Sequence, residues 1–199
     1  MKKPILLPIV TIILAAAVLF GAAVGLNGIA AANAQREHMN IMRTVLPGSE
    51  NFTVEPYSGE DANIRSVHKG ENGYVIETVT YGYAGEITML IGVSNEGKVT
   101  GLVVREMAET FGLGANALND HVFLAQFLNS SGSFAVAASG ADAFSGATGE
   151  AQTASGDSVE VDALTGATVT SKAIVRCVNS AVAYVTGADA SSGATTWGG

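Results

Sequence analysis

The sequence predicts an α+β domain, with a mostly antiparallel sheet and flanking helices, behind a single N-terminal transmembrane helix. Three observations carry this. An uninterrupted apolar run fills Ile5 to Leu26. Segments that alternate apolar and polar residues follow, divided by turn-forming pairs such as Asn72-Gly73. A closing segment, Ser171 to Val185, repeats its apolar residues at every third or fourth position. Strand-like segments joined by a hairpin turn, with a long helix-like segment at the end, point to α+β organisation.

The elements follow in order. No charge lies between Lys3 and Arg36, and the run from Ile5 to Leu26 matches the roughly 20 residues that cross a bilayer. Residues 1–34 are therefore expected to form an anchor and 35–199 the domain. Lys2 and Lys3 place the N-terminus in the cytoplasm and the domain on the outer face of the cell membrane. A cleaved signal peptide is the competing reading, because Ala32-Asn33-Ala34 resembles a cleavage site; the apolar run, however, exceeds the roughly 7 to 15 residues of a signal core. A short helix over Gln35 to Val45 should end at Pro47-Gly48.

Strands are expected over Tyr74 to Tyr83, Ile87 to Val93 and Val99 to Arg105, the last two joined through Ser94-Asn95-Glu96-Gly97 as an antiparallel hairpin. Ala115 to Leu128 carries Leu118, Val122, Phe123 and Phe127 on one side, as an amphipathic helix does. Residues 129–157 are rich in Ser, Gly and Ala and predict a short strand near Phe134 to Ala137 followed by a long loop. From Ser158 to Asp162, Val159 and Val161 alternate with polar residues in a half-buried strand. The closing helix then places Ala173, Ile174, Cys177, Val178, Ala181, Val182 and Val185 on its inner face.

Composition excludes several functions. The 199 residues allow one membrane segment and one domain of about 150 residues, enough to bury a core. With a formal net charge of −8 and no basic stripe, nucleic acid is not an expected partner. The single cysteine, Cys177, forbids an internal disulfide and reads as a core residue. His38, His68 and His121 have no ligand spacing, so no metal is expected. No nucleophile and base pair stands out, and no catalytic residue is assigned.

Between the last strand and the closing helix lies Asp162-Ala163-Leu164-Thr165-Gly166-Ala167-Thr168. A tight turn is expected there, with Gly166 free to take left-handed angles and Ala167 too small to obstruct a bulky ring. Thr168 falls just before the helix, for which Thr170 or Ser171 is a good N-cap, and the positive end of a helix favours a phosphate. Two further strings, Asp142 to Thr148 and Asp189 to Thr195, match the same core pattern, but only the 162–168 copy stands between a strand and a long apolar helix. Thr148 and Thr195 are therefore expected to be unmodified.

The 162–168 stretch resembles the signature D-x-x-[ST]-G-A-T, whose last threonine receives FMN through its phosphate from a flavin transferase. Glu109-Thr110-Phe111-Gly112-Leu113-Gly114 resembles the E-T-P-G-L-G loop of the same FMN-binding family; Phe111 replaces the usual proline, and Met107 stands where a histidine is common. The two motifs, their order, the apolar N-terminus and the length together resemble the G subunits of Rnf-type ion-translocating ferredoxin:NAD oxidoreductase complexes. The resemblance implies covalent FMN on Thr168. It further implies a binding site shared by Asp162, Leu164, Thr165, Gly166, Ala167, Thr170 and Ser171 with Glu109, Thr110, Gly112, Leu113 and Gly114. The implied role is an electron-transfer subunit without independent catalysis, and the implied partners are the other membrane subunits of the complex and the transferase. Alternatives are the C subunit of a sodium-translocating NADH:quinone oxidoreductase, a stand-alone membrane-anchored flavin carrier, or an anchored binding module without redox chemistry.

Overall fold

A computed structural model describes residues 6–107, 120–137, 158–164 and 166–187, with the side chains of 6–9 and 22–29 outside that description. The chain divides into two units, 1–41 and 42–199.

Helix α1, Leu6–Val45, runs 40 residues without a break. This differs from the separate helix expected at Gln35: the Ala-rich stretch after Leu26 contains no proline, and alanine is the strongest helix former. In the first unit Ile13, Leu14, Leu19 and Phe20 all lie well exposed. Among the described residues no helix is long and apolar enough to cross a membrane. The expected anchor includes Ile5 and side chains of 6–9 and 22–26, which lie outside the described set.

The second unit is built on a five-stranded antiparallel meander in the order β1 (Thr53–Glu55), β2 (Ile64–Lys69), β3 (Gly73–Tyr81), β4 (Glu86–Ser94) and β5 (Val99–Met107). The expected strands shift only at their ends. β3 stops at Tyr81 because Gly82 N–H donates to the Gly85 carbonyl (2.9 Å) and turns the chain. β1 and β2 have no counterpart among the expected strands. A register shift between Ile64 and Ser66 puts the buried Ile64 and Val67 three residues apart, which breaks the alternation that marks a strand.

Helix α2 is short, His121–Ala125, in place of the helix expected over 115–128. Asp120 starts it by accepting from the N–H groups of Val122 (2.8 Å) and Phe123 (3.0 Å), and Asn129 in the left-handed region (φ 59°) ends the turns that follow it. Residues 115–119 lie outside the description. β6 (Ser133–Val136) and β7 (Ser158–Val161) pair in parallel as a separate two-stranded sheet. Helix α3, Thr168–Thr186, begins one turn earlier than the periodicity implies and ends at left-handed Gly187, whose N–H returns to the Ala183 carbonyl.

The inner face of α3 packs on β3, β4 and β6. Ile174, Cys177, Val178 and Ala181 meet Ile76, Ile87, Met89 and Ile91, and Phe127 stacks edge-on with Phe123 and tilted on Phe134. Each of the Ile, Val and Met side chains among them contributes roughly 1.5 to 3 kcal/mol on burial. The other sheet face receives the last turn of α1. Gly92 and Gly101 stand opposite one another on β4 and β5, and a Cβ on Gly92 would run into the Val45 carbonyl, to which Thr100 Oγ1 donates at 2.6 Å.

α3 runs antiparallel to β3. Near its C-terminus Tyr184 meets Tyr74 at the start of β3 with ring centroids 5.7 Å apart, while Arg176 Nη2 donates to the carbonyl of Tyr81 at the end of β3 (3.0 Å). Thr168 lies two turns beyond Arg176, about 12 Å along the axis. The N-terminus of α3 therefore points to the end of the sheet where β3 stops, β4 starts and β5 runs out at Met107.

Candidate functional site

The stretch from Asp162 to Ser171 is held at three points. Asp162, exposed just past β7, has both backbone groups taken by one side chain: its N–H donates to Gln126 Oε1 (2.9 Å) and its carbonyl accepts from Gln126 Nε2 (3.4 Å). Leu164 and Ala167 close a four-residue turn in which the Ala167 N–H donates to the Leu164 carbonyl (2.9 Å). Gly166, third in that turn, has φ 80°, a left-handed value that glycine adopts without strain. Buried Ser171 then knits turn to helix. Its Oγ accepts from the Leu164 N–H (3.3 Å) and donates to the Ala167 carbonyl (3.0 Å).

This arrangement corrects the expected cap. The N-cap position is Ala167, which offers no side-chain hydrogen bond, and Thr168 is the first helical residue rather than the one before the helix. Thr170 and Ser171 sit inside the first turns, buried against the core, and Ser171 is occupied by the turn itself. Thr170 is buried, and its hydroxyl has no hydrogen-bond partner among the described residues. The first intrahelical bond is Ser171 N–H to the Ala167 carbonyl, so the N–H groups of Thr168, Val169 and Thr170 lack helical acceptors.

The electrostatics favour an anion at this end. The first turn contains no acidic residue, the uncapped N–H groups carry the positive end of the helix dipole, and exposed Lys172 follows Thr168 by one turn. Thr168 is half-buried, and Val169 beside it is half-exposed. Deeper in the same helix, burial raises the Cys177 thiol to about 11, so this sulfur is a protonated core group rather than a nucleophile.

The structure thus brings Asp162, Leu164, Gly166, Ala167, Thr168, Thr170 and Ser171 into one strand, turn and helix start. Thr165 and the loop residues Glu109, Thr110, Gly112, Leu113 and Gly114 lie outside the described residues, as do Thr148 and Thr195. β5, which leads toward that loop, ends at Met107 at the same end of the sheet as the α3 N-terminus. Sequence reasoning missed Gln126 and Asn179. Asn179, on α3, clasps Phe134 of β6 as Gln126 clasps Asp162, accepting from its N–H (2.8 Å) and donating to its carbonyl (2.9 Å). A polar residue within an apolar helix face is the signal that Asn179 offered; Gln126 offered none. Among the described residues no group of three or more His, Cys, Asp or Glu is placed to hold a metal ion.

The FMN-binding domain family model matches residues 82–183, which span β4, β5 and the whole of the 162–171 stretch. The chain is similar to the G subunit of the Na(+)-translocating ferredoxin:NAD(+) oxidoreductase complex of Acetobacterium woodii, at 37% identity over 55% of this chain and 47% of the relative. It is 36% identical to the G subunit of the proton-translocating ferredoxin:NAD(+) oxidoreductase complex of Clostridium ljungdahlii, over 57% of this chain and 53% of the relative. A longer match, 32% identity over 72% of each chain, is to the G subunit of the ion-translocating oxidoreductase complex of Methanosarcina acetivorans. The chain spans about half the length of the first two relatives.

Proposed function

We propose, from the premise that this chain belongs to the FMN-binding domain family, that it is the electron-carrying G-type subunit of a membrane-bound, ion-translocating ferredoxin:NAD oxidoreductase complex and bears FMN covalently on Thr168. The observation that carries this reading is the start of α3: Thr168 occupies the first position of a helix that has no side-chain cap and no acidic residue in its first turn. A phosphodiester on the Thr168 oxygen would carry one negative charge, and this is where the fold offers backbone N–H donors and a favourable dipole. Two residues on, the buried Thr170 hydroxyl has no hydrogen-bond partner among the described residues.

FMN, when bound, supplies one- and two-electron transfer; the protein holds it, orients it and limits its side reactions. The residues divide that work. Gly166 and Ala167 keep the approach to Thr168 free of side-chain bulk, Ser171 fixes the turn against the helix, and the apolar face of α3 anchors the whole to the sheet. Glu109, Thr110, Gly112, Leu113 and Gly114, which follow β5, form the second contact in this reading. The remaining partners are the membrane subunits of the complex and the flavin transferase that loads the chain. Ile5 to Leu26 anchors the protein, with Lys2 and Lys3 on the cytoplasmic side and the flavin domain outside.

Fluorescence of the denatured full-length protein on a gel tests the proposal, because only a covalently held flavin survives denaturation. The wild-type band should fluoresce and the Thr168→Ala band should not. A dark wild-type band, from cells that express the transferase, would refute covalent attachment.

A further inference from the structure

We infer that Gln126 is a positioning residue for the flavin: it fixes the segment from which the attachment turn departs and thereby sets where the flavin on Thr168 sits. The inference rests on the reading of Thr168 given above. The parallel ladder between β6 and β7 ends with Val136 opposite Val161, and Ala137 N–H donating to the Val161 carbonyl (2.8 Å) makes its last bond. Asp162 is the next residue, and there a planar side-chain amide takes the place of a strand. Gln126 receives the Asp162 N–H at 2.9 Å and donates to its carbonyl at 3.4 Å, pairing both backbone groups of one residue as a neighbouring strand does.

Asp162 to Thr168 is seven residues, and the structure ties them at Asp162 through Gln126 and at Leu164 and Ala167 through Ser171. Removing the Gln126 tie frees the entrance of the turn while Ser171 still holds its exit. The clasp joins the end of α2 to the start of the turn across 36 positions of sequence. The helix that presents it is anchored without it. Phe123 and Phe127 on either side are buried among Phe134 and the core, and the Gln126 backbone N–H bonds within its own turn. Substitutions of the Gln126 side chain therefore leave α2 in place.

Two near-isosteric variants of the flavinylated full-length protein test this. Gln126→Glu keeps an acceptor for the Asp162 N–H and loses the donor; Gln126→Met removes both. Amide exchange at Asp162 should quicken roughly tenfold in Gln126→Met and less in Gln126→Glu, the order set by the lost hydrogen bonds. The flavin's visible circular dichroism should change in the same order. Its two-electron reduction equilibrium should move at least twofold in Gln126→Met, which is about 9 mV. Faster exchange at Asp162 with an unchanged flavin spectrum and potential would overturn the proposal, since the clasp would then support the backbone alone. Unchanged exchange would overturn it as well. Loss of attachment in a Gln126→Met protein that keeps its unfolding transition would support it, because the turn would no longer present Thr168. Failure of the underlying reading looks different: the wild type carries no flavin mass, or Thr168→Ala retains it.

Discussion

Replacing Ser171 by alanine sets two physical effects of opposite sign against each other. Alanine is the better helix former, and propensity alone would make Ser171→Ala more stable by about 0.5 kcal/mol. The structure predicts the reverse. Ser171 is fully buried, and its hydroxyl both accepts from the Leu164 N–H at 3.3 Å and donates to the Ala167 carbonyl at 3.0 Å. Each bond contributes about 1 kcal/mol net, so their loss removes about 2 kcal/mol, and the balance is a destabilisation of about 1.5 kcal/mol. For a domain of this size that lowers the melting temperature by about 3 to 6 °C. The comparison is best made by urea unfolding in the Thr168→Ala background, which carries no flavin under the proposed attachment. The midpoint should fall with an unchanged slope. A neutral or stabilised Ser171→Ala protein would show that the hydroxyl does not knit the turn to the helix.

Gly92→Ala should destabilise the domain by about 2 kcal/mol or more, measured by urea unfolding, because the new Cβ would strike the Val45 carbonyl and the Thr100 hydroxyl and push the last turn of α1 off the sheet. Cys177 gives a pH signature. Burial raises its thiol from 9.0 to about 11, so the folded state holds that proton more tightly than the unfolded chain, and stability falls as pH rises from about 9 to 11. Cys177→Ala should flatten that fall in urea midpoints taken at pH 8 and pH 10; an identical slope with and without the thiol would contradict it. For topology, a cysteine placed at exposed Glu96 in the Cys177→Ala background should react with a membrane-impermeant thiol reagent on intact cells. Labelling only after the membrane is opened would place the domain in the cytoplasm.

What was legible in the sequence was what local periodicity encodes. β3 alternates in exposure along most of its length, β4 is a short apolar run buried on both faces and bounded by turn-forming residues, and the apolar spacing of α3 holds from Ala173 to Val182. β2 escapes notice because its bulge shifts Ile64 and Val67 out of phase, and β1 is only three residues long. The expected cap at Thr170 or Ser171 is wrong for a tertiary reason. Both are good capping types, but the core claims their positions, and the helix starts from Ala167, whose side chain has nothing to donate or accept. The clasps of Gln126 on Asp162 and Asn179 on Phe134 join residues 36 and 45 positions apart, and no local pattern announces pairings over that distance. The turn before Thr168 was legible because glycine's left-handed freedom and the strand and helix around it are all local properties.

Intact mass of the purified full-length protein tests the central claim most directly. Wild type, Thr148→Ala and Thr195→Ala should each carry the mass of one phosphate-linked FMN, and Thr168→Ala should carry none. Flavin mass retained in Thr168→Ala, or lost in Thr148→Ala or Thr195→Ala, would contradict the assignment of the attachment site to the first residue of α3.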